Sequence, residues 1–260
     1  MPDSYYLFIS FILGLLIGSL LNCVIYRLEK GESFLKGRSY CPNCKHSLFW
    51  PDLIPVLSFL LLRGKCRYCQ KPISWQYPLV ELVTGLIFVL VFVYFSAFSF
   101  AGVVCLWAIS SLLVIIFVYD FKHYLIPDSA IYTAIALSVV WHLVSGTLSA
   151  KLFPFDALYS ALLAALFFFL IVLVSRGKWM GVGDIKLAFL MGLLLGWPGI
   201  LVALFIAFFL GAIIGIILMV LKKKTMKSEI PFGPFLVLGT FAALFYGGKI
   251  VNWYLGFFNP

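Results

Sequence analysis

Charge is what this chain has least of. Of its 260 residues only 11% are charged, against about a quarter in an ordinary soluble domain. With 63% hydrophobic residues and a mean hydropathy of +1.10, no single soluble core hides so much apolar surface, and a polytopic membrane protein is what remains. Also lacking are a serine-nucleophile motif, a phosphate loop and a dinucleotide fingerprint, which removes the enzyme classes those motifs mark. No internal repeat is evident. Histidine is scarce: His46, His123 and His142 never pair at metal-ligand spacing, and His142, in an apolar run, reads as a packing residue.

What is present is a series of apolar segments. A membrane span needs about 20 mainly apolar residues, and eight candidates emerge at about 5–26, 78–98, 100–119, 129–147, 156–175, 185–198, 199–221 and 234–256. The sixth is short and is parted from the seventh only by Trp197-Pro198-Gly199, a tight-turn signal, so seven spans with a fused or re-entrant 185–221 remain open. The first segment has no Lys or Arg ahead of it and no clear cleavage site, and is expected to be retained. The expected architecture is all-α, with about eight transmembrane helices and a small zinc-ribbon-like insert between the first two. The expected organisation is a first helix over 1–26, the insert over 27–77 and a helical domain over 78–260.

The net charge of +9 would suggest nucleic acid in a soluble protein; here it describes topology. Segment 27–77 holds Arg27, Lys30, Lys36, Arg38, Lys45, Arg63, Lys65, Arg67 and Lys71. Lys122, then Arg176, Lys178 and Lys186, then Lys222, Lys223, Lys224 and Lys227 fall in three later segments, making 17 of the 19 basic residues. Eight alternating spans put all four segments on one face, leaving Lys151 and Lys249 toward the other. Basic residues collect in cytoplasmic loops, so that face is expected to be cytoplasmic, with both termini outside. No nucleic-acid partner is expected.

The insert carries Cys41-Pro-Asn-Cys44 and Cys66-Arg-Tyr-Cys69. Two Cys-x2-Cys knuckles supply four thiolates that surround zinc tetrahedrally. Two disulfides or a redox pair are the alternative, which a cytoplasmic location disfavours. Zinc with four protein ligands has no open position for water, so the expected role is structural. Trp50, Leu53, Ile54, Val56 and Leu57 in the gap are enough for a small apolar cluster. Cys23 and Cys105 lie in apolar runs and read as packing residues.

Among the ten acidic residues most have ordinary loop or boundary readings, and Asp128, after Pro127, reads as the N-cap of the next helix. Two differ. Asp120 closes the apolar run Leu112–Tyr119, and Asp184 closes Gly181-Val-Gly183-Asp184, with Lys186 two residues on. Each taken alone is compatible with capping or plain loop chemistry. Together they lie at the same membrane boundary, 64 residues apart in sequence. Carboxylates there are costly to desolvate, and two that converge offer an aspartic dyad sharing one proton. Gly181 and Gly183 permit a close approach or a positive φ. A non-enzymatic scaffold and a proton-coupled transporter are the rival readings. Transport sites lie near the midplane between repeated halves, which fits this chain less well.

These residues, with Gly18-Ser-Leu-Leu-Asn22, Tyr26-Arg27, Gly37-Arg38-Ser-Tyr-Cys41, Trp50-x-Asp52-Leu-Ile-Pro55, Arg63-Gly64-Lys-Cys66, Pro72-Ile-Ser74, Tyr77-Pro78-Leu-Val-Glu81 and Ile230-Pro-Phe-Gly-Pro-Phe235, resemble the type IV prepilin peptidases, membrane aspartic proteases with a Gly-x-Gly-Asp motif. The match runs nearly end to end. It implies removal of the cytoplasmic leader of prepilin or pseudopilin precursors by catalytic Asp120 and Asp184. Gly181, Gly183, Lys186, Pro127 and Asp128 are then supporting motif residues. Members with the cysteine insert also methylate the new N-terminus, which implies S-adenosylmethionine as a cofactor beside zinc. Gly64, next to Cys66, is a candidate for close approach of the methyl donor, or equally a tight-turn residue. The basic residues of the insert are then left to contact anionic membrane lipids or the donor's carboxylate.

Overall fold

Backbone N–H and C=O groups in hydrocarbon must be satisfied within their own segment, which favours helices. The computed structural model obeys this throughout. It describes residues 4–33, 37–97, 99–145, 153–222 and 230–257, without the side chains of 153 and 154. Asp3, Lys36, Lys151, Lys223, Lys224, Lys227 and Glu229, several of which entered the charge count, lie outside the described residues.

The helices are α1 (Ser4–Lys30), α2 (Leu57–Leu61), α3 (Gln76–Phe95), α4 (Phe100–His123), α5 (Asp128–Val144), α6 (Phe153–Ser175), α7 (Val182–Val220) and α8 (Gly233–Gly256). Among the described residues six of them, α1, α3, α4, α6, α7 and α8, are long and apolar enough to cross a membrane. Two features separate this number from the eight expected spans. The 17 residues of α5 reach only about 25 Å at 1.5 Å each, against a hydrocarbon core of about 30 Å. The expected sixth and seventh spans are the two arms of α7, which counts as one helix in that number but is broken at Gly196 (φ 61°, ψ −172°) and Trp197 (φ −90°, ψ 139°) just before Pro198.

The contacts on either side of that break require the chain to turn back. A straight α7 would carry Phe208 roughly 36 Å from Asp184. Instead Phe208 packs on Phe232 with ring centroids 5.0 Å apart. Phe232 precedes the Gly233 that abuts Asp120, and Asp120 is within Coulombic reach of Asp184. The Trp197-Pro198-Gly199 turn signal therefore marks a real change of direction.

Two compact units divide at Ala97/Phe98, so α3 groups with α1 and the insert. Small residues explain this grouping. A Cβ on Gly14 would lie 2.7 Å from the Gly85 Cα, and one on Gly18 would lie 2.7 Å from the Glu81 Cα. This Gly-x3-Gly stripe lets the α1 and α3 backbones touch, the packing that holds helices together in lipid. At the end of the pair Asn22 Nδ2 donates to the Tyr77 carbonyl at 3.0 Å.

Two buried charges anchor the insert to these helices. Arg27 donates to the carbonyls of Ser33, Gly37 and Arg38 at 3.0–3.1 Å. On α3, Glu81 Oε2 accepts the Val56 backbone N–H at 2.7 Å. The apolar cluster expected in the insert does not form a core: Trp50, Leu53, Ile54 and Leu57 are exposed, and only Phe59 of that region is buried. A segment this small, stapled by its cysteines, has too little chain to wrap them.

Candidate active site and metal centre

The second unit builds one acidic site from three helix ends. Asp120 lies in the last turn of α4, which stops where Tyr124 adopts a left-handed conformation (φ 58°) and donates its N–H to the Asp120 carbonyl. A carboxylate at a helix C-terminus is opposed by the helix dipole, and this one is also buried, 5% exposed. Compensation comes from α8, whose first residue, Gly233, turns its backbone N–H to the Asp120 carboxylate. A Cβ at Gly233 would stand 2.5 Å from Asp120 Oδ2, so only glycine leaves room for the carboxyl.

Asp184 occupies the opposite environment. It is the third residue of α7, where the dipole favours an anion, and its Oδ2 accepts the Gly181 N–H at 3.1 Å. It is 8% exposed. The Asp120 carboxyl is near enough for its charge to be felt at Asp184, and the amides at the N-termini of α7 and α8 meet the two carboxyls.

Neighbouring residues clamp the 120–128 and 181–186 segments together. Gly183 faces Ile126, whose Cβ would be 3.1 Å from an added Cβ. Lys186 Nζ contacts Asp128 Oδ1 at 2.6 Å and lies over the Tyr132 ring. Pro127 takes the N-cap position of α5 (φ −69°, ψ 121°). Asp128 is thus not the N-cap but the first helical residue, its carboxylate taken by Lys186 and favourably placed for the dipole. Positive φ is likewise absent at the Gly-x-Gly: Gly181 is extended (φ −83°, ψ 158°) and Gly183 is helical. Space for Ile126, not backbone freedom, is what Gly183 supplies. His142, as expected of a packing residue, is buried with Nε2 2.8 Å from the Leu193 carbonyl.

The first unit holds the cysteines. Cys41, Cys44, Cys66 and Cys69 bring their Sγ atoms within 4.8 Å of one another, with Cys41 and Cys69 at 4.0 Å. Zn–S bonds of about 2.3 Å in a tetrahedron put sulfurs about 3.8 Å apart, whereas a disulfide needs about 2.05 Å. All four thiols are free. The two knuckles share one backbone design. Lys45 and Gln70, each following its second cysteine, have φ near +59° and return their N–H to Cys41 and Cys66. The antiparallel bridges Tyr40–Ser47 and Lys65–Pro72 close them.

Electrostatics favour a cation at the centre. Burial pushes the Cys41 thiol up, but the N–H groups of Cys44 and Asn43 outweigh it and hold it down at about 7. At Cys69 the Lys71 N–H lowers the value, but burial and the other three sulfurs prevail and raise it to about 11. Sulfurs this close resist ionising together unless a cation shares them. The four residues fit a tetrathiolate metal site. Gly64 occupies a turn: φ is +70° and a Cβ there would meet the Phe59 ring at 3.1 Å, which accounts for glycine at this position.

Comparison with known proteins covers both units. A model of the bacterial peptidase A24 N-terminal domain matches residues 12–95, and a model of the type IV leader peptidase family matches residues 107–216. The chain is 33% identical over 284 residues to the prepilin leader peptidase/N-methyltransferase of Aeromonas hydrophila, covering 96% of this chain and 94% of that protein. The Legionella pneumophila protein of the same name is 32% identical over 279 residues, covering 98% and 96%. That of Bacillus subtilis (strain 168) is 33% identical over 253 residues, covering 95% and 97%. The chain belongs to the type IV leader peptidase family. No solved structure matches.

In this leader peptidase, a multi-pass membrane protein, several structurally important residues are defined by what approaches them, which no sequence motif signals. Gly233 stood inside a motif without a role. Arg27, counted only among the basic residues of segment 27–77 and within a motif, and Glu81, with its ordinary boundary reading, are both buried. A charged residue within an otherwise apolar segment was the available signal for Glu81, since such residues need partners.

Proposed function

We propose that this chain is a membrane-embedded aspartic endopeptidase that removes the cytoplasmic leader of prepilin-like precursors, with Asp120 and Asp184 as the catalytic pair. The observation that carries this is the convergence of two buried, interacting carboxyls on backbone amides of α7 and α8. One carboxylate, ionised, takes a proton from water as that water attacks the scissile carbonyl; the other, protonated, donates a hydrogen bond to the carbonyl oxygen. The tetrahedral intermediate then collapses, and the leaving amine takes a proton from the acid pair. The proton is shared by the pair as a unit. The amides of Gly181 and Gly233 orient each carboxyl without donating to the substrate. The substrate strand is extended at the cut, because a helical peptide bond is already hydrogen-bonded.

The four cysteines hold zinc, which supplies folding energy to the insert and no reaction step. The relatives' names and the insert support N-methylation of the new N-terminus with S-adenosylmethionine. The protein resides in the bacterial inner membrane, crossing it about eight times with α5 and both arms of α7 counted. The insert and acid pair lie on the cytoplasmic side and the termini outside. The test is incubation of purified chain in detergent with a prepilin peptide, with and without S-adenosylmethionine, read by mass spectrometry. Leader loss, followed by a methyl gain only with the donor, is expected. An intact peptide would reject the reading in favour of a scaffold or transporter.

A further inference from the structure

We propose that the insert has a membrane-insertion surface, an apolar ridge running from Trp50 to Leu61 and on to Trp75 that beds into an anionic phospholipid interface. Trp50 is 77% exposed, Leu60 62%, Leu61 74% and Trp75 69%. Leu53, Ile54 and Leu57, in and between the 3-10 turn Trp50–Leu53 and α2, are exposed as well. A small domain with its own core does not leave this set in water.

Depth is fixed by continuity with the spanning helices. Trp75 immediately precedes α3 and therefore sits where that helix meets the headgroups, the level that tryptophan favours. Its ring packs on Phe59 of α2 with centroids 5.0 Å apart, which brings α2 to the same level with Leu60 and Leu61 on its outer face.

Charge identifies the partner. The insert also carries Arg63, Lys65 and Lys71 in the chain that follows α2, with Arg38 and Lys45 on the first knuckle, all exposed. The sole acidic residue between 37 and 75, Asp52, is taken by Arg67 at 2.8 Å and by the Tyr68 hydroxyl at 3.0 Å. Glu32 is held by the Tyr40 hydroxyl at 2.8 Å, and Lys45 lies over that tyrosine ring, so the basic flank offered to anionic headgroups is Arg63, Lys65 and Lys71. An apolar edge with a basic flank is the surface of an interfacial, not a spanning, segment.

The test uses the full chain in lipid nanodiscs and reads tryptophan fluorescence. The Trp50 contribution is the difference between the chain and Trp50→Phe, which keeps the ridge apolar. In discs of phosphatidylglycerol and phosphatidylethanolamine, acyl chains brominated near the glycerol end should quench that contribution, and aqueous acrylamide should not. Phosphatidylcholine discs, or Arg63→Gln, Lys65→Gln and Lys71→Gln together, should restore acrylamide quenching. Each lost charge should reduce the ratio of inserted to free insert about fivefold. Zinc content of one per chain certifies that each variant keeps its insert folded. Acrylamide access in the anionic discs would overturn the proposal. Shielding from both quenchers would also overturn it, by showing a protein cover. Equal bromine quenching in both lipid compositions would overturn the role of charge.

Discussion

Replacing Gly233 by alanine tests the site at its tightest point. The added methyl would fall 2.5 Å from Asp120 Oδ2, 3.0 Å from Cγ and 3.4 Å from Cβ. Ordinary contact begins near 3.4 Å, so the carboxyl must retreat by roughly 0.9 Å, a distance derived from these two values. Asp120 is buried and lies on a rigid helix, so the retreat swings its oxygens off the Gly233 amide and changes its approach to Asp184. Misplacing a reacting group by about 1 Å costs on the order of 100-fold in rate, or about 2.7 kcal/mol of activation free energy. The methyl touches the carboxyl proposed to be catalytic, so kcat should carry the loss. Two control glycines set the scale. A methyl on Gly183 meets Ile126 at 3.1 Å, which asks for a few tenths of an ångström, and one on Gly181 meets nothing nearer than 3.9 Å. The expected order of damage is Gly233→Ala, far above Gly183→Ala, then Gly181→Ala. Leader cleavage followed by mass spectrometry, with thermal unfolding as a check on folding, reads this order. Wild-type turnover by a folded Gly233→Ala protein, or Gly181→Ala as the worst variant, would refute the reasoning.

Two further predictions concern the first unit. Cys66→Ser should reduce zinc from one per chain to none by elemental analysis, and render the insert sensitive to proteolysis while leader removal survives. Retention of a full metal equivalent would contradict the tetrathiolate site. Glu81→Ala strands the Val56 N–H and should destabilise the unit by about 1–3 kcal/mol in chemical unfolding, whereas Glu81→Gln, which keeps an acceptor oxygen, should lose less. Equal losses would show that the hydrogen bond is not what Glu81 contributes.

The helical character and the placing of Asp120 and Asp184 at helix ends were legible because apolar length and basic-loop asymmetry act over whole segments and tolerate local error. The α7 break was legible too, since Trp197-Pro198-Gly199 cannot continue a helix. The acid pair could be read only as a possibility: 64 residues separate its members, and nothing local specifies a meeting. Gly233 was silent because its importance lies in an atom on another helix. The tetracysteine cluster of the insert was legible from its spacing, and only the fate of its apolar residues was not. Trp50, Leu53, Ile54 and Leu57 announce that something covers them, but hydrophobicity does not say whether that is their own chain or a lipid surface. Asp128 was displaced from the expected N-cap position by one residue, because Pro127 already has the extended backbone that a cap needs and Lys186 claims the carboxylate.

The most direct measurement is leader cleavage by Asp120→Asn, Asp184→Asn and the double variant, each shown to be folded and membrane-inserted. Two acids working as one unit are not additive when removed. Each single variant should therefore be as inactive as the double, with substrate still bound. Wild-type cleavage by either single variant would contradict the dyad.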